Sequence, residues 1–177
     1  MSRTILLIGL LVLATAASWF VAFYFYNSES LPGRIPLNAF DSRPFSWSGP
    51  KEFVFFFPAV CTGVAAVVLL FYPVRGALVF FGRKRVARLA VEFQVVIIER
   101  AYQVVLVLGT IICLFFTFMG LSLALYACSN DPGARINSWP LLAALVVMAL
   151  YVLFNYFLIN RMIGAAEQAS EEEQEES

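Results

Sequence analysis

Four stretches of the chain, residues 5–26, 53–74, 103–127 and 140–160, each run for more than twenty residues without an Asp, Glu, Lys or Arg. At a rise of about 1.5 Å per residue, such a run covers the roughly 30 Å hydrocarbon core of a bilayer. Lipid offers no partner to a free peptide group, so a lone apolar run must satisfy its backbone within itself, as an α-helix. The expected fold is therefore all-α, a polytopic membrane protein with a four-transmembrane-helix bundle over residues 1–163. Composition agrees: 61% of residues are hydrophobic and 14% charged, against about 25% charged in soluble domains.

The formal charge of zero hides an asymmetry. All 12 Lys and Arg lie at or before Arg161, while Glu167, Glu171, Glu172, Glu173, Glu175 and Glu176 form a terminal block; without it, twelve basic residues face six acidic ones, a balance of +6. Short loops rich in Lys and Arg stay in the cytoplasm. With the N-terminus inside, the cytoplasm holds Arg3, Arg75, Arg83, Lys84, Arg85, Arg88, Arg100 and Arg161, and the outside Arg34, Arg43, Lys51 and Arg135, eight against four. The chain is expected in the cell (inner) membrane with both termini cytoplasmic. Arg3 before an apolar run, with Ala14, Thr15 and Ala16 imitating a cleavage site, raises a signal peptide as the competing reading of the first run. The run continues through Trp19, Phe20, Phe23, Tyr24 and Tyr26, an aromatic end suited to an interface, which favours an uncleaved helix.

In the inner connection, residues 75–100, Val86, Leu89, Ala90, Phe93 and Ile97 share one helical face while Arg85, Arg88, Glu92 and Glu99 share another. This predicts a basic amphipathic helix, lying on the membrane or running into the third span, with Arg83, Lys84, Arg85 and Arg88 as candidate contacts for inner-leaflet lipid or a partner. The β-branched run 95–98 is a strand signal without a partner strand. Pro58 should start or bend the second helix. Ser138 and Pro140 suit the start of the fourth, and Asp131, Pro132 and Gly133 a turn that makes the third and fourth helices an antiparallel hairpin. Residues 164–177, dominated by Glu, are expected to be a disordered acidic tail, either solubilising or docking on a basic surface.

The chain contains no histidine, which removes imidazole bases, ligands and proton relays. Cys61, Cys113 and Cys128 show no CxxC spacing and read as small buried hydrophobes. No charged residue falls inside a span, which argues against a pump or transporter. The polar residues left there are mild: Thr62, Thr110, Thr117, Ser122 and Asn155, with Asn155 the candidate interhelical contact. No catalytic residue, metal ligand, cofactor or nucleic-acid partner is expected. The partners are the lipid bilayer and another membrane protein or peptide, with homo-oligomer and complex subunit both open.

The outer loop, residues 27–52, is punctuated by Pro32, Gly33, Pro36, Pro44, Gly49 and Pro50. Proline fixes φ and pushes its predecessor toward extended geometry, so this is a shaped, irregular loop. It is either a rigid connector or a recognition surface.

Leu31, Pro32, Ile35, Pro36 and Leu37, followed by Pro44, Trp47, Gly49 and Lys51, resemble the LPxxIPxHF loop signature of a prokaryotic membrane family related to the immunity proteins against the sporulation-delaying toxin. Asn38 stands where that family has histidine, and Pro44 and Trp47 stand one position out of register. The resemblance implies a cofactor-free protein that recognises a peptide, toxin or membrane partner through Pro32, Ile35, Pro36, Asn38, Pro44, Trp47 and Lys51. The function expected is thus immunity-like or envelope-sensing and non-enzymatic. The alternative is a structural or accessory subunit of a larger membrane complex, whose aromatic-rich spans pack against other subunits.

Overall fold

The computed structural model describes residues 2–36, 48–76, 83–87, 89–129 and 139–175. Its elements are α1 (Ser2–Tyr26), β1 (Arg34–Pro36), β2 (Ser48–Pro50), a 3-10 turn (Lys51–Phe55), α2 (Phe56–Leu70), α3 (Arg83–Val86), α4 (Val91–Ser129) and α5 (Trp139–Glu175). Four helices, Arg3–Tyr26, Lys51–Leu70, Val91–Ser129 and Leu142–Ala169, are long and apolar enough to cross a membrane.

Local chemistry sets several boundaries. Pro58 is the third residue of α2 and is fully buried; it lies in the first turn of the helix, where a missing N–H costs least. The apolar run expected to continue to residue 74 leaves the helix at Leu70, because Pro73 cannot donate and disfavours helical geometry at Tyr72. Turns carry the chain on, with Phe71 N–H donating to Val67 O and Val74 N–H to Phe71 O.

Helices α1, α2 and α4 make a three-helix unit with two apolar layers. In the middle, Leu11 and Ala14 meet Cys61, Ala65 and Val68 of α2 and Tyr102, Leu106 and Cys113 of α4. Toward the β1–β2 end, Ala22 meets Val54, Phe57, Leu123 and Ala127. These layers run α1 and α4 in the same direction with α2 opposed. Small residues permit the approach: a Cβ on Gly120 would lie 3.2 Å from the Phe57 ring. Across this unit, Trp19 Nε1 donates to Thr62 Oγ1 at 3.0 Å.

α5 runs antiparallel to α4, completing an up-down-up-down order. Ile97 and Ala101 pack with Ile163 and Ala166 in a third cluster, which also takes Val86 and Leu89. Among the described residues of α5, Asn155, Ile163 and Ala166 are the buried ones. Leu142, Leu145, Leu150, Phe154 and Phe157 are more than half exposed.

Two expectations change and one is decided. The third span is one continuous helix of 39 residues, about 58 Å long and nearly twice the hydrocarbon thickness; it begins at Val91, so the last ten residues of the inner connection run into the span, one of the two arrangements expected for them. The inner connection as a whole is not a single helix. Leu89 N–H donates to Val86 O, and the Gln94 side chain donates to Leu89 O at 2.8 Å, marking a turn between α3 and α4. On one straight helix Val86 and Ile97 would sit about 16 Å apart along the axis; the turn gathers both into the same cluster, while Phe93 stays exposed. The acidic tail, expected to be disordered, is helical through Glu175. Ala and Glu are strong helix formers, and extending an existing helix avoids the cost of nucleation. The expected cap at Ser138, the turn at 131–133 and the placement of Arg88 on the charged face involve residues outside those described.

Candidate functional sites at the two ends of the bundle

The loop after α1 is closed by a small antiparallel ladder, which the sequence reading took as irregular. Arg34 pairs with Pro50, Ile35 with Gly49 and Pro36 with Ser48. Leu31 and Ile35 are buried, only 4% and 0% exposed, in the apolar layer with Phe57 and Leu123, so the ladder is nailed to the helices by its own side chains. Lys51 adds a tie: Nζ donates to Ser28 O at 3.4 Å and stands 5.1 Å over the Tyr26 ring, within cation–π range. The Phe55 ring packs edge-on to Phe23 and tilted against Trp19 and Tyr26. Pro32 is half-buried, Pro36 lies in β1, and Asn38, Pro44 and Trp47 fall outside the described residues. An open hollow of about 450 Å³ lies beside the loop root, lined by Phe20, Phe23, Tyr24, Asn27 and Ser28.

The opposite end is charged. Arg83 begins α3, Lys84 is exposed, and Arg88 is outside the described residues. Arg85 is engaged within the chain: Nε donates to Glu167 Oε1 at 2.9 Å and Nη2 to Oε2 at 2.5 Å. This hydrogen bonding, with the carboxylate charge, holds the guanidinium above its ordinary pKa.

Asn155 is 1% exposed. Its Oδ1 accepts from Arg100 Nη2 at 3.2 Å, and its Nδ2 donates to Tyr151 O at 2.9 Å. The neighbouring Glu99 serves the other helices. Its Oε1 accepts from the Thr4 hydroxyl, and its Oε2 lies 3.9 Å from Arg75 Nε. Gln103 donates to Thr4 Oγ1 at 3.2 Å, and the Arg75 guanidinium sits 4.2 Å over the Tyr72 ring. Two consecutive α4 residues thus connect α1, the end of α2 and α5. Thr4, Arg75, Glu99, Arg100 and Gln103 were not singled out from the sequence as site residues. The available signal was one arginine beside each apolar run, Arg3, Arg75, Arg100 and Arg161, but not which of them meet.

Cys61 and Cys113 are fully buried, each thiol directed at the other's carbonyl at 3.5 and 3.6 Å; Cys128 is only half-buried. Among the described residues no group of three or more Cys, Asp or Glu is placed to hold a metal ion. Comparison with known proteins assigns no relatives: no protein family, curated protein or solved structure matches the chain.

Proposed function

We propose that this is a non-enzymatic multi-pass protein of the cell (inner) membrane, immunity-like or envelope-sensing, which meets a peptide, toxin or membrane partner through residues 27–52. Eight of its basic residues face the cytoplasm in this reading, as do both termini. The observation that carries it is the seating of Ile35: fully buried, it fastens a two-stranded platform onto the bundle, in which Pro36 and Ser48 are paired. Recognition by a loop on a rigid support loses little entropy on binding. The aromatic hollow beside the platform adds apolar surface of the kind a peptide side chain or lipid-embedded partner can fill.

A second reading, an accessory subunit, draws on α5. Leu142, Leu145, Leu150, Phe154 and Phe157 are exposed on it and are available to another subunit as well as to lipid.

The experiment is extraction of the full chain at its natural level in mild detergent, with identification of whatever remains in stoichiometric amount. The immunity-like reading expects recovery alone or as a small homo-oligomer, together with protection of cells from an envelope-active peptide that Trp47→Ala or Pro36→Ser abolishes. Recovery within a defined complex, with no protection, selects the subunit reading. Orientation has its own test: a cysteine at Ser46 should label from outside intact cells and one at Ser170 only after lysis, and the reverse pattern overturns it.

A further inference from the structure

Arg100 is a half-buried cation whose only hydrogen-bond partner among the described residues is neutral. Nη2 donates to Asn155, and Nε is buried with no partner. The adjacent carboxylate is taken, since Glu99 is bonded to Thr4 and lies against Arg75. The other ion pair among the described residues joins Arg85 to Glu167. A guanidinium offers five donors in a planar fork, and a charge withdrawn from water normally acquires a counter-ion. Among the described residues, Arg100 therefore has spare donor capacity and no anion paired with it.

Position indicates which anion. Arg3 precedes the apolar run of α1, Arg75 follows that of α2, Arg100 precedes that of α4 and Arg161 follows that of α5. With the helices in up-down-up-down order, all four arginines lie at one end of the bundle, where the uncharged runs stop. In a bilayer that level is the headgroup region, and its abundant anion is the phosphate of a phospholipid. Arg100 is held between α4 and α5, and unlike Arg75, which lies against Glu99, it is held there by a neutral group: Asn155 fixes one terminal nitrogen and is itself tied to the Tyr151 carbonyl. Arg161, by contrast, is exposed.

We propose that Arg100, oriented by Asn155 where α4 meets α5, binds the phosphate of one anionic phospholipid headgroup. The bound anion completes the pairing of the guanidinium and pins α5, the least packed of the four long helices, to the rest of the bundle. The inference rests on the membrane reading alone and is independent of what meets residues 27–52; recovery of the protein in washed membranes tests that premise separately.

The test uses the full chain in mild nonionic detergent, titrated with phosphatidylglycerol, with phosphatidylcholine of the same acyl chains, or with sodium phosphate. Binding is read by retained lipid in native mass spectrometry and by the rise in thermal midpoint. The expected result is one retained phosphatidylglycerol, an affinity about tenfold weaker in Arg100→Gln, and no change in Arg161→Gln, which removes the same charge at the same end. Arg100→Lys, which keeps the charge but loses the fork, should also weaken binding and serves if the Gln variant fails to fold. Equal weakening by Arg100→Gln and Arg161→Gln, unchanged binding in Arg100→Lys, or equal retention of phosphatidylcholine overturns the proposal. A midpoint rise reproduced by sodium phosphate alone overturns its lipid source.

Discussion

Gly109 of α4 approaches Val68 of α2 so closely that a Cβ placed on it would lie 3.0 Å from the Val68 Cγ2 methyl, with Leu11 of α1 at 3.5 Å on the same side. All three helices of the tight unit meet there. Gly109→Leu should lower stability by about 1–3 kcal/mol through overpacking, read as an earlier thermal midpoint in detergent. Gly63 provides the comparison, because its Cβ would meet nothing within 4 Å, and Gly63→Ala should leave the midpoint unchanged. If the two variants melt together, the crossing is not the tight point of the bundle.

The platform on residues 27–52 depends on one side chain. Ile35→Ala removes a fully buried side chain from the layer with Phe57 and Leu123, and should cost about 2–4 kcal/mol. Lys51→Ala, which loses only the cation–π contact and the bond to Ser28 O, should cost about 0.5–1 kcal/mol. Proteolysis within residues 37–47 should accelerate far more in the first variant than in the second; the opposite order would contradict the seating of the ladder.

Asn155 can be tested in both directions. Asn155→Leu strands the Arg100 guanidinium without its one hydrogen-bond acceptor among the described residues and should cost about 1–2 kcal/mol. Asn155→Asp supplies a carboxylate at the same place and should match or exceed the parent, as a charge-assisted pair. A stable Leu variant alongside an unstable Asp variant would mean that the position faces lipid and not Arg100. The unfolding midpoint in detergent reports both.

Release of α3 should follow from breaking its pairing with α5. Arg85 is bonded to Glu167 through two nitrogens, but the pair is solvent-exposed and screened by salt, whereas Val86 and Leu89 are buried beside Ile163. Tryptic cleavage at Lys84 in opened membranes should therefore quicken slightly in Glu167→Gln, most visibly at low salt, and strongly in Val86→Asp. Comparable rates in parent and Val86→Asp would show that the apolar contact does not hold the segment.

The sequence alone determined that four long apolar helices form, because an apolar run that enters lipid has no other way to satisfy its peptide groups. It also marked Asn155 as the polar residue most in need of a partner, whereas the end of α2 at Leu70 fell short of the expected residue 74. Contacts between distant positions were decided by tertiary structure. Arg100 and Asn155 are 55 residues apart, and nothing in either run specifies which face of one helix meets which face of the other when all faces are apolar. The ladder of Ile35 and Gly49 escaped notice because three-residue strands rich in proline and glycine carry no alternating pattern to detect. The acidic segment was misjudged for a related reason: composition measures its affinity for water, while its helicity is inherited from the long helix it extends. Local chemistry thus fixes the elements, and the shape and hydrogen-bonding capacity of surfaces far apart in the chain fix how they are joined.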